Sequence, residues 1–240
     1  MNVMPALHRL LSLGEVVECV FRKRENRFVG VAQCGGSVER VHINNTGRLL
    51  DLLYSGARVL CKPIRGGRTS MRVVGTHVGG DMWTLIDTKM QERAFIGAIE
   101  GNLIPWLKGY RVARRDVDVM DIRIDLLLRK GDREALAELK SAVFYNPIDM
   151  SARYPDTVSL RGRRHVEILT RISNTERYIV FIAAHPMARL FRPSSIDPEL
   201  PGLLRRAVSA GVFVKAVKLY IYGGSVVIEN PDLPVSLEPL

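Results

Sequence analysis

Cysteine is scarce in this sequence, and the arrangement of the few cysteines argues against two common structural devices. Cys19, Cys34 and Cys61 are the only cysteines among 240 residues. Their number is odd, their spacing is wide and no Cys-x-x-Cys pair is present, which argues against a zinc site and a disulfide framework. We therefore expect each cysteine to be a small buried hydrophobic side chain.

Long hydrophobic runs are also missing. No apolar stretch approaches the roughly 20 residues that a membrane-spanning helix needs. Residues 1–18 contain a short apolar patch, but they have neither the basic lead nor the cleavage site of a signal peptide. With 47% hydrophobic and 25% charged residues, the composition is that of a folded protein of one or two domains. We expect a cytoplasmic protein without a membrane partner.

Three familiar fingerprints are absent as well: the P-loop, the Rossmann glycine motif and Gly-x-Ser-x-Gly. Basic charge is abundant instead, with a formal net charge of +10. Residues 1–82 hold 12 basic and 6 acidic side chains, and residues 83–240 hold 23 and 19. Such an excess attracts the phosphates of nucleic acid whatever the base sequence. A basic protein without a nucleic-acid partner is the alternative, and charge alone does not separate the two.

The first third of the chain has the pattern of a small β-barrel. Short apolar and alternating segments are separated by glycine-rich turns until Gly79 and Gly80 end the pattern. Five short strands with one helical insert fit an oligonucleotide-binding (OB) barrel, and we assign it to residues 1–80. Strands are predicted over residues 14–24, 27–35, 37–43, 57–64 and 70–78, and a short α- or 3₁₀-helix over residues 44–56.

The remaining residues, 81–240, alternate between helical and strand patterns. Helix 160–174 is amphipathic, with Val166, Leu169 and Ile172 on one face. The alternation predicts a mixed α/β domain with helices packed on a central sheet. Helices are predicted over residues 88–100, 160–174 and 198–211, and strands over 109–117, 121–128, 133–140, 178–186, 213–224 and 225–230.

Two of these strands form a predicted hairpin that carries a candidate catalytic site. If the hairpin is centred on Gly131 and Asp132, Asp125 lies directly opposite Glu138. Cβ atoms in such pairs are about 4.5–5.5 Å apart. Lys140 follows on the same face, because side chains in a strand alternate. The same alternation predicts that Ile122, Ile124 and Leu126 share the opposite face of the first strand.

This trio suggests metal-dependent phosphodiester hydrolysis. Two close carboxylates need a proton or a cation between them, and Mg²⁺ or Mn²⁺ would suit their oxygens. Asp125 and Glu138 are therefore the candidate metal ligands, and Lys140 would orient water or offset charge on phosphorus. The alternative is a solvated cross-strand charge cluster, since an Asp followed by Glu-x-Lys also arises by chance.

Arginines form a second set of candidates. One group lies in the barrel segment, where Phe21 and Phe28 interleave with it and could stack on bases or belong to the core. Another opens the helix at residue 160, a position that favours anions. Asp156 precedes that helix as a metal ligand or a cap. The candidate nucleic-acid contacts are Arg22, Arg24, Arg27, Arg48 and Arg65, with Arg68 in the same turn, and Arg161, Arg163, Arg164 and His165.

A set of short segments along the chain has a distinctive combination of residues. The most specific is YPDTVSLRGRRHVEIL at residues 154–169. The others, in chain order, are NRFVGVA (26–32), NNTGRL (44–49), GARVL (56–60), RIDLLL (123–128), AELKS (137–141), SSIDPEL (194–200) and AGVFVKA (210–216). Together, and in this order, the segments resemble the sugar fermentation stimulation protein A family.

The resemblance implies an OB-type barrel followed by a restriction-endonuclease-like domain of the PD-(D/E)xK type. It implies a DNA-binding protein, and it matches Asp125, Glu138 and Lys140 to the nuclease motif. Because the basic charge attracts phosphate whatever the base sequence, we expect this binding to have low sequence specificity. One departure is that Phe95–Ile99 lacks the acid usual in the family's first helix, for which Glu92 and Glu100 could substitute. The alternative function is a non-catalytic nucleic-acid-binding regulator of sugar metabolism with a vestigial nuclease site.

Overall fold

The basic N-terminal third forms a closed β-barrel. In the computed structural model, residues 7–65, 67 and 69–238 are described. The first seven strands are β1 (His8–Ser12), β2 (Val17–Asn26), β3 (Val29–Cys34), β4 (Ser37–Ile43), β5 (Arg58–Pro63), β6 (Met71–Gly79) and β7 (Met82–Leu85). β2 pairs with β3 and β5, and a parallel pairing of β4 with β6 closes the ring. The predicted five-stranded OB barrel is thereby confirmed.

The barrel interior follows from the alternation of side chains along each strand. On β2, Cys19 and Phe21 are buried while Glu18 and Val20 are exposed. Phe21 is therefore a core residue, and its ring needs Gly30 opposite, since a Cβ there would lie 2.5 Å from the ring. Burying such a ring contributes about 1.5–3 kcal/mol.

The expectation for the cysteines is wrong for two of the three. All are buried, but Cys19 and Cys34 form a disulfide, and Cys61 remains a free thiol. The two bonded residues are direct cross-strand partners on β2 and β3, with Cα atoms 4.4 Å apart. That spacing lies within the range that a disulfide spans.

The predicted helix over residues 44–56 is also wrong, because this segment folds as turns. The Asn45 side chain accepts a hydrogen bond from the Gly47 N–H at 3.0 Å, which closes a local turn in place of a helical bond. Leu49 has a φ of 54°, outside the helical region. The Arg24 guanidinium then donates to the carbonyls of Gly47 and Arg48 and holds the turn.

The rest of the chain is the predicted mixed α/β domain, which is confirmed. Its elements are α1 (Thr88–Glu100), β8 (Arg111–Val119), β9 (Ile122–Lys130), β10 (Arg133–Ala142), β11 (Phe144–Asn146), β12 (Ser151–Tyr154), α2 (Leu160–Arg171), β13 (Glu176–Ala183), β14 (Leu190–Pro193), α3 (Leu200–Ser209), β15 (Phe213–Tyr222) and β16 (Ser225–Asn230), with a 3₁₀ turn at Pro105–Leu107. The central part of its sheet has parallel strands: β10, β13 and β15 run parallel, and β9 and β8 extend the sheet antiparallel.

The helices cover opposite faces of this sheet. On β13, Ile179 and Phe181 pack with α2 and α3, while Val180 and Ile182 pack in the cluster that contains α1 and the barrel core. Ser159 begins α2, because its hydroxyl accepts the Gly162 N–H at 3.0 Å. None of the helices in the described part of the chain is long and apolar enough to cross a membrane.

Two short strands that the sequence pattern did not reveal join the parts of the molecule. β1, near the N-terminus, pairs with β16 of the α/β domain. β7 pairs with β6 of the barrel on one side and with β15 on the other. The division of the chain at residues 80 and 81 stays a prediction, because these pairings link the two parts through one continuous sheet.

Candidate functional site

The β9–β10 hairpin has the register that places the candidate residues together. Lys130 pairs with Arg133, and Leu126 pairs with Ala137. The next pair in this register would be Asp125 with Glu138. The ladder ends there, and the Leu139 N–H donates instead to the Asp125 carboxylate at 2.6 Å.

The expected alternation of faces on β9 is broken at Asp125. Ile122 and Ile124 pack in the cluster beneath α2, whereas Leu126 packs in the opposite cluster with α1. The expectation that these three residues share a face is therefore wrong. The carboxylate of Asp125 therefore takes a backbone donor from β10 at the point where β9 changes face.

Glu138 is the centre of a buried polar cluster. Its Oε1 atom lies 2.6 Å from both the Lys140 Nζ and the His165 Nδ1. The three side chains are only 3–7% exposed. Within the described residues the other carboxylate oxygen, Oε2, is buried and has no hydrogen-bond partner. One half of this carboxylate is therefore satisfied by protein groups and the other half is not.

The charges of this cluster are strongly coupled. Burial disfavours the charge on Glu138, but Lys140 and His165 outweigh it and lower the pKa of that carboxyl. Burial likewise opposes the charge on Lys140, yet the Glu138 carboxylate keeps the pKa of the ammonium raised. Burial and the nearby Glu138 charge raise the pKa of Asp125 to about 7. Glu138 therefore stays an ionised carboxylate, whereas Asp125 is readily protonated.

One helix acid lies beside Asp125. Glu92 on α1 lines a small cavity together with Asp125 and Leu139, and its charge helps to raise the pKa of Asp125. Arg115 pairs with Glu92 at 2.7 Å. Glu100 is turned elsewhere and accepts the Val112 N–H at 3.0 Å. Of the two proposed substitutes for the family's helix acid, Glu92 alone is near the candidate site.

A cavity of about 300 Å³ joins the trio to both parts of the molecule. Asp125, Glu138 and Lys140 line it, so the structure brings the three candidate catalytic residues together. Asn45 lines it from the barrel side and donates to the Ile86 carbonyl at 3.0 Å and the Ser141 hydroxyl at 3.3 Å. No sequence signal marks Asn45 as a site residue, although it lies in the NNTG segment that resembles the family.

Asp156 does not cap α2, since Ser159 is the cap, and it lines the same cavity as Asp125 and Glu138. Its Oδ2 atom accepts the Leu49 N–H at 2.8 Å. Gly47 packs so closely that a Cβ there would lie 2.5 Å from the Asp156 carboxylate. Asp156 therefore anchors the barrel turn to the second domain, and this contact explains why a glycine is needed at residue 47.

The basic residues that open α2 have different environments. Arg161 is exposed at the cavity, and its Nε donates to the His165 Nε2 at 3.4 Å. His165 is buried against Glu138 and is not exposed beside the helix arginines. Arg163 is paired with Asp197 and Glu199, and Arg164 with Asp121.

The barrel arginines also differ from one another. Arg24 is half-buried and donates to five backbone carbonyls, so its guanidinium is committed to the fold and the expected phosphate contact is not supported. Arg68 lies outside the described residues. Phe28 is 47% exposed and available to a ligand. The barrel arginines that are exposed and make no ion pair within the described residues are Arg22, Arg27, Arg48 and Arg65.

The fold and the site together define a class of protein. A closed five-stranded barrel is followed by an α/β domain that carries acids and a lysine at the end of a hairpin, as in OB-barrel proteins with a restriction-endonuclease-like domain. The family model described as the SfsA N-terminal OB domain matches residues 23–86. The model described as the sugar fermentation stimulation protein RE domain matches residues 89–223. The chain belongs to the sugar fermentation stimulation protein family.

Similar proteins cover almost the whole chain. The sugar fermentation stimulation protein homolog of Pyrococcus furiosus is 35% identical over 232 residues, which cover 95% of this chain and 100% of the relative. The homolog of Archaeoglobus fulgidus is 39% identical over 229 residues, which cover 95% and 99%. A solved structure of Pyrococcus furiosus SfsA in complex with Ca²⁺ is similar with a TM-score of 0.91 and 34% identity, covering 95% of this chain and 99% of that one.

Proposed function

We propose that this protein binds nucleic acid, mainly DNA, and hydrolyses phosphodiester bonds at Asp125, Glu138 and Lys140 with a divalent cation. The observation that carries the proposal is the Oε2 atom of Glu138, which is buried, lacks a partner within the described residues and belongs to a side chain lining the same cavity as Asp125. A buried carboxylate oxygen without a partner is costly unless a cation or a donor reaches it.

The available donors suit a hard cation. Asp125 and Glu138 supply carboxylate oxygens, which Mg²⁺ and Mn²⁺ prefer, and Glu92 adds a third carboxylate nearby. The Pyrococcus furiosus relative was solved in complex with Ca²⁺, another cation that takes oxygen ligands. A bound Mg²⁺ or Mn²⁺ would lower the pKa of a water and polarise a phosphoryl oxygen.

Lys140 and His165 have separate tasks in this proposal. Lys140 stays protonated beside Glu138 and would stabilise the charge that develops on phosphorus. His165 is a positioning residue, because one ring nitrogen donates to Glu138 and the other accepts from Arg161. That pair of hydrogen bonds selects one tautomer and holds the carboxylate in place. Arg161, exposed at the cavity, would bind the phosphate on the strand.

The exposed arginines of the barrel would hold the rest of the strand. Arg22, Arg27, Arg48 and Arg65 make no ion pair within the described residues and are open to phosphate. Phosphate contacts carry no sequence information directly, so we expect low sequence specificity. Arg163 and Arg164 already pair with carboxylates and are weaker candidates. We place the proposed activity in the cytoplasm, the location that the sequence predicts for the protein.

A non-catalytic nucleic-acid-binding regulator with a vestigial site is the second candidate. The Lys140–Glu138 ion pair favours it, because the ammonium already neutralises that carboxylate without a cation. Incubation with labelled DNA and RNA, with and without Mg²⁺ or Mn²⁺, separates the two functions. We expect metal-dependent cleavage by the wild-type protein and none by Asp125→Ala. Binding without cleavage under every metal condition would leave the regulator as the better account.

A further inference from the structure

A second cavity, of about 330 Å³, opens beside the candidate catalytic cavity. The two share three lining residues, Val143, Phe144 and Asp156. A base is joined to its phosphate through a single sugar. A nucleotide whose phosphate lies at the carboxylates could therefore place its own base, or that of its neighbour, in this second cavity.

The walls of the second cavity are mainly apolar and aromatic. Tyr145 and His185 stack in parallel, with ring centroids 4.2 Å apart and planes 2° from parallel. Burial and the nearby Lys218 lower the pKa of His185 to about 4, so the ring is neutral at pH 7 and serves as an aromatic surface. Leu50, which is 69% exposed, and Ile196 complete the apolar lining.

These exposed apolar side chains lie on a protein with a net charge of +10, next to Arg48. Apolar side chains that are exposed together at a cavity are typical of ligand-binding grooves. Polar groups are few and sit at the rim, where Arg48, Asp51 and Asp156 offer donors and acceptors. Apolar walls with a few polar groups at the edge are typical of small-ligand sites, whose volumes are roughly 300–1,000 Å³.

We infer that this cavity binds a single unstacked nucleobase of the strand whose phosphate occupies the neighbouring site. The inference rests on the proposed function, because the neighbouring site must receive a phosphate. A base would present a flat apolar face to the aromatic wall and a polar edge to the polar residues, and Arg48, which also lines the cavity, would contact the adjoining phosphate. Since unstacking costs least in single strands, single-stranded nucleic acid is the preferred partner.

The test compares two ligands with the same phosphates. Affinity is measured at low salt with Ca²⁺, a cation that takes carboxylate oxygens, for a twelve-residue thymidine strand (~12 bases, one OB-fold site) and for an abasic strand of equal length. Gel electrophoresis checks that both strands stay intact during the measurement. Both strands carry the same charge, so the ratio of the two affinities isolates the contacts to the bases. The wild-type protein should bind the thymidine strand about fivefold or more tightly.

Leu50→Ser and Tyr145→Leu should each reduce that ratio severalfold while affinity for the abasic strand stays unchanged. Leu50 is exposed, so its substitution is not expected to affect folding even if Tyr145→Leu does. Ile148→Ser is the matched control, because Ile148 is 92% exposed and lines neither cavity. Equal affinity of Leu50→Ser and wild-type protein for the thymidine strand would overturn the inference. Absence of binding to either strand would overturn the proposed function with it, whereas binding with a flat ratio would remove the base cavity alone.

Discussion

The Lys140 ammonium and the Glu138 carboxylate lie 2.6 Å apart, two residues from each other on β10, in a buried part of the candidate site. The contact uses only Oε1 of the carboxylate, which also receives His165. Lys140 is thus held by one oxygen, while the other, Oε2, is buried and has no hydrogen-bond partner within the described residues. This division allows an ammonium for transition-state charge and a carboxylate oxygen for a cation to occupy one site.

Lys140→Ala should abolish cleavage but leave divalent-metal affinity unchanged or slightly raised. The ammonium acts on developing charge and is not a ligand, and its loss removes a positive charge near the metal. Cleavage assays and titration calorimetry with Mg²⁺ measure the two effects, with the exposed Lys108→Ala as control. If Lys140 only balances the two acids, the variant should melt lower, Mg²⁺ should restore its melting temperature and the wild-type protein should not cleave. Wild-type cleavage by Lys140→Ala would contradict the catalytic assignment.

Asp125→Asn should stabilise the metal-free protein, and increasingly so as pH rises. The folded state holds the pKa of Asp125 at about 7, against 3.8 ordinarily. Between these values the unfolded chain loses its proton while the folded protein keeps it, so wild-type stability falls as pH rises through this window. Asn cannot ionise and escapes the penalty, which at roughly 1.4 kcal/mol per pKa unit reaches about 4 kcal/mol above pH 7.

Thermal melts of both proteins in EDTA from pH 4 to 8 check this prediction. The difference in melting temperature should grow with pH and shrink when Mg²⁺ is added, since the cation stabilises only the carboxylate form. A difference that is constant with pH would show that Asp125 has an ordinary pKa in the folded protein.

Glu92→Gln should weaken divalent-metal binding severalfold and slow cleavage. Glu92 lies beside Asp125, and its loss removes one negative charge that favours a cation. Glu100→Gln is the matched control on the same helix, because Glu100 faces Val112 instead. Calorimetric titration with Mn²⁺ distinguishes them; equal affinities in the two variants would remove Glu92 from the site.

Reducing agent should lower the melting temperature of the wild-type protein. The Cys19–Cys34 bond closes a loop of 15 residues, for which chain-entropy estimates give about 3 kcal/mol. Cys19→Ser should melt lower and show no further response to reductant, while Cys61→Ser should keep the response. Mass spectrometry after alkylation without reduction counts the free thiols; labelling of all three residues in the native protein would show that the bond is absent.

Arg27→Glu and Arg48→Glu should each weaken binding of every DNA sequence and reduce its salt dependence. Both side chains are exposed without an ion pair in the described part of the chain, so each removed phosphate contact lowers the salt slope by about 1. Arg163→Gln is the contrasting variant, because it breaks the pair with Asp197 and should lower stability more than affinity. Fluorescence anisotropy at several salt concentrations gives the salt dependence of DNA affinity for each variant. A salt dependence equal to that of the wild-type protein would show that DNA binds to another surface.

The sequence by itself determined the features that depend on local rules. The hairpin between β9 and β10 has the expected register because a tight turn sets the pairing of the residues that follow it. Helix 88–100 was predicted residue for residue, and its Asp87 cap is a local signal as well. The candidate trio followed from these short-range relations together with the residue types.

Only the tertiary structure decided which distant segments meet. The β2–β3 hairpin contains two irregularities, between Phe21 and Lys23 and between Arg24 and Asn26, so counting from its turn does not pair Cys19 with Cys34. The role of Asp156 depended on a turn 107 residues away, and that of His165 on a strand 27 residues away. Such contacts arise because a buried donor or acceptor needs a hydrogen-bond partner, and packing of the chain decides which distant residue supplies it. The spacing of residues in the sequence carries no information about that partner.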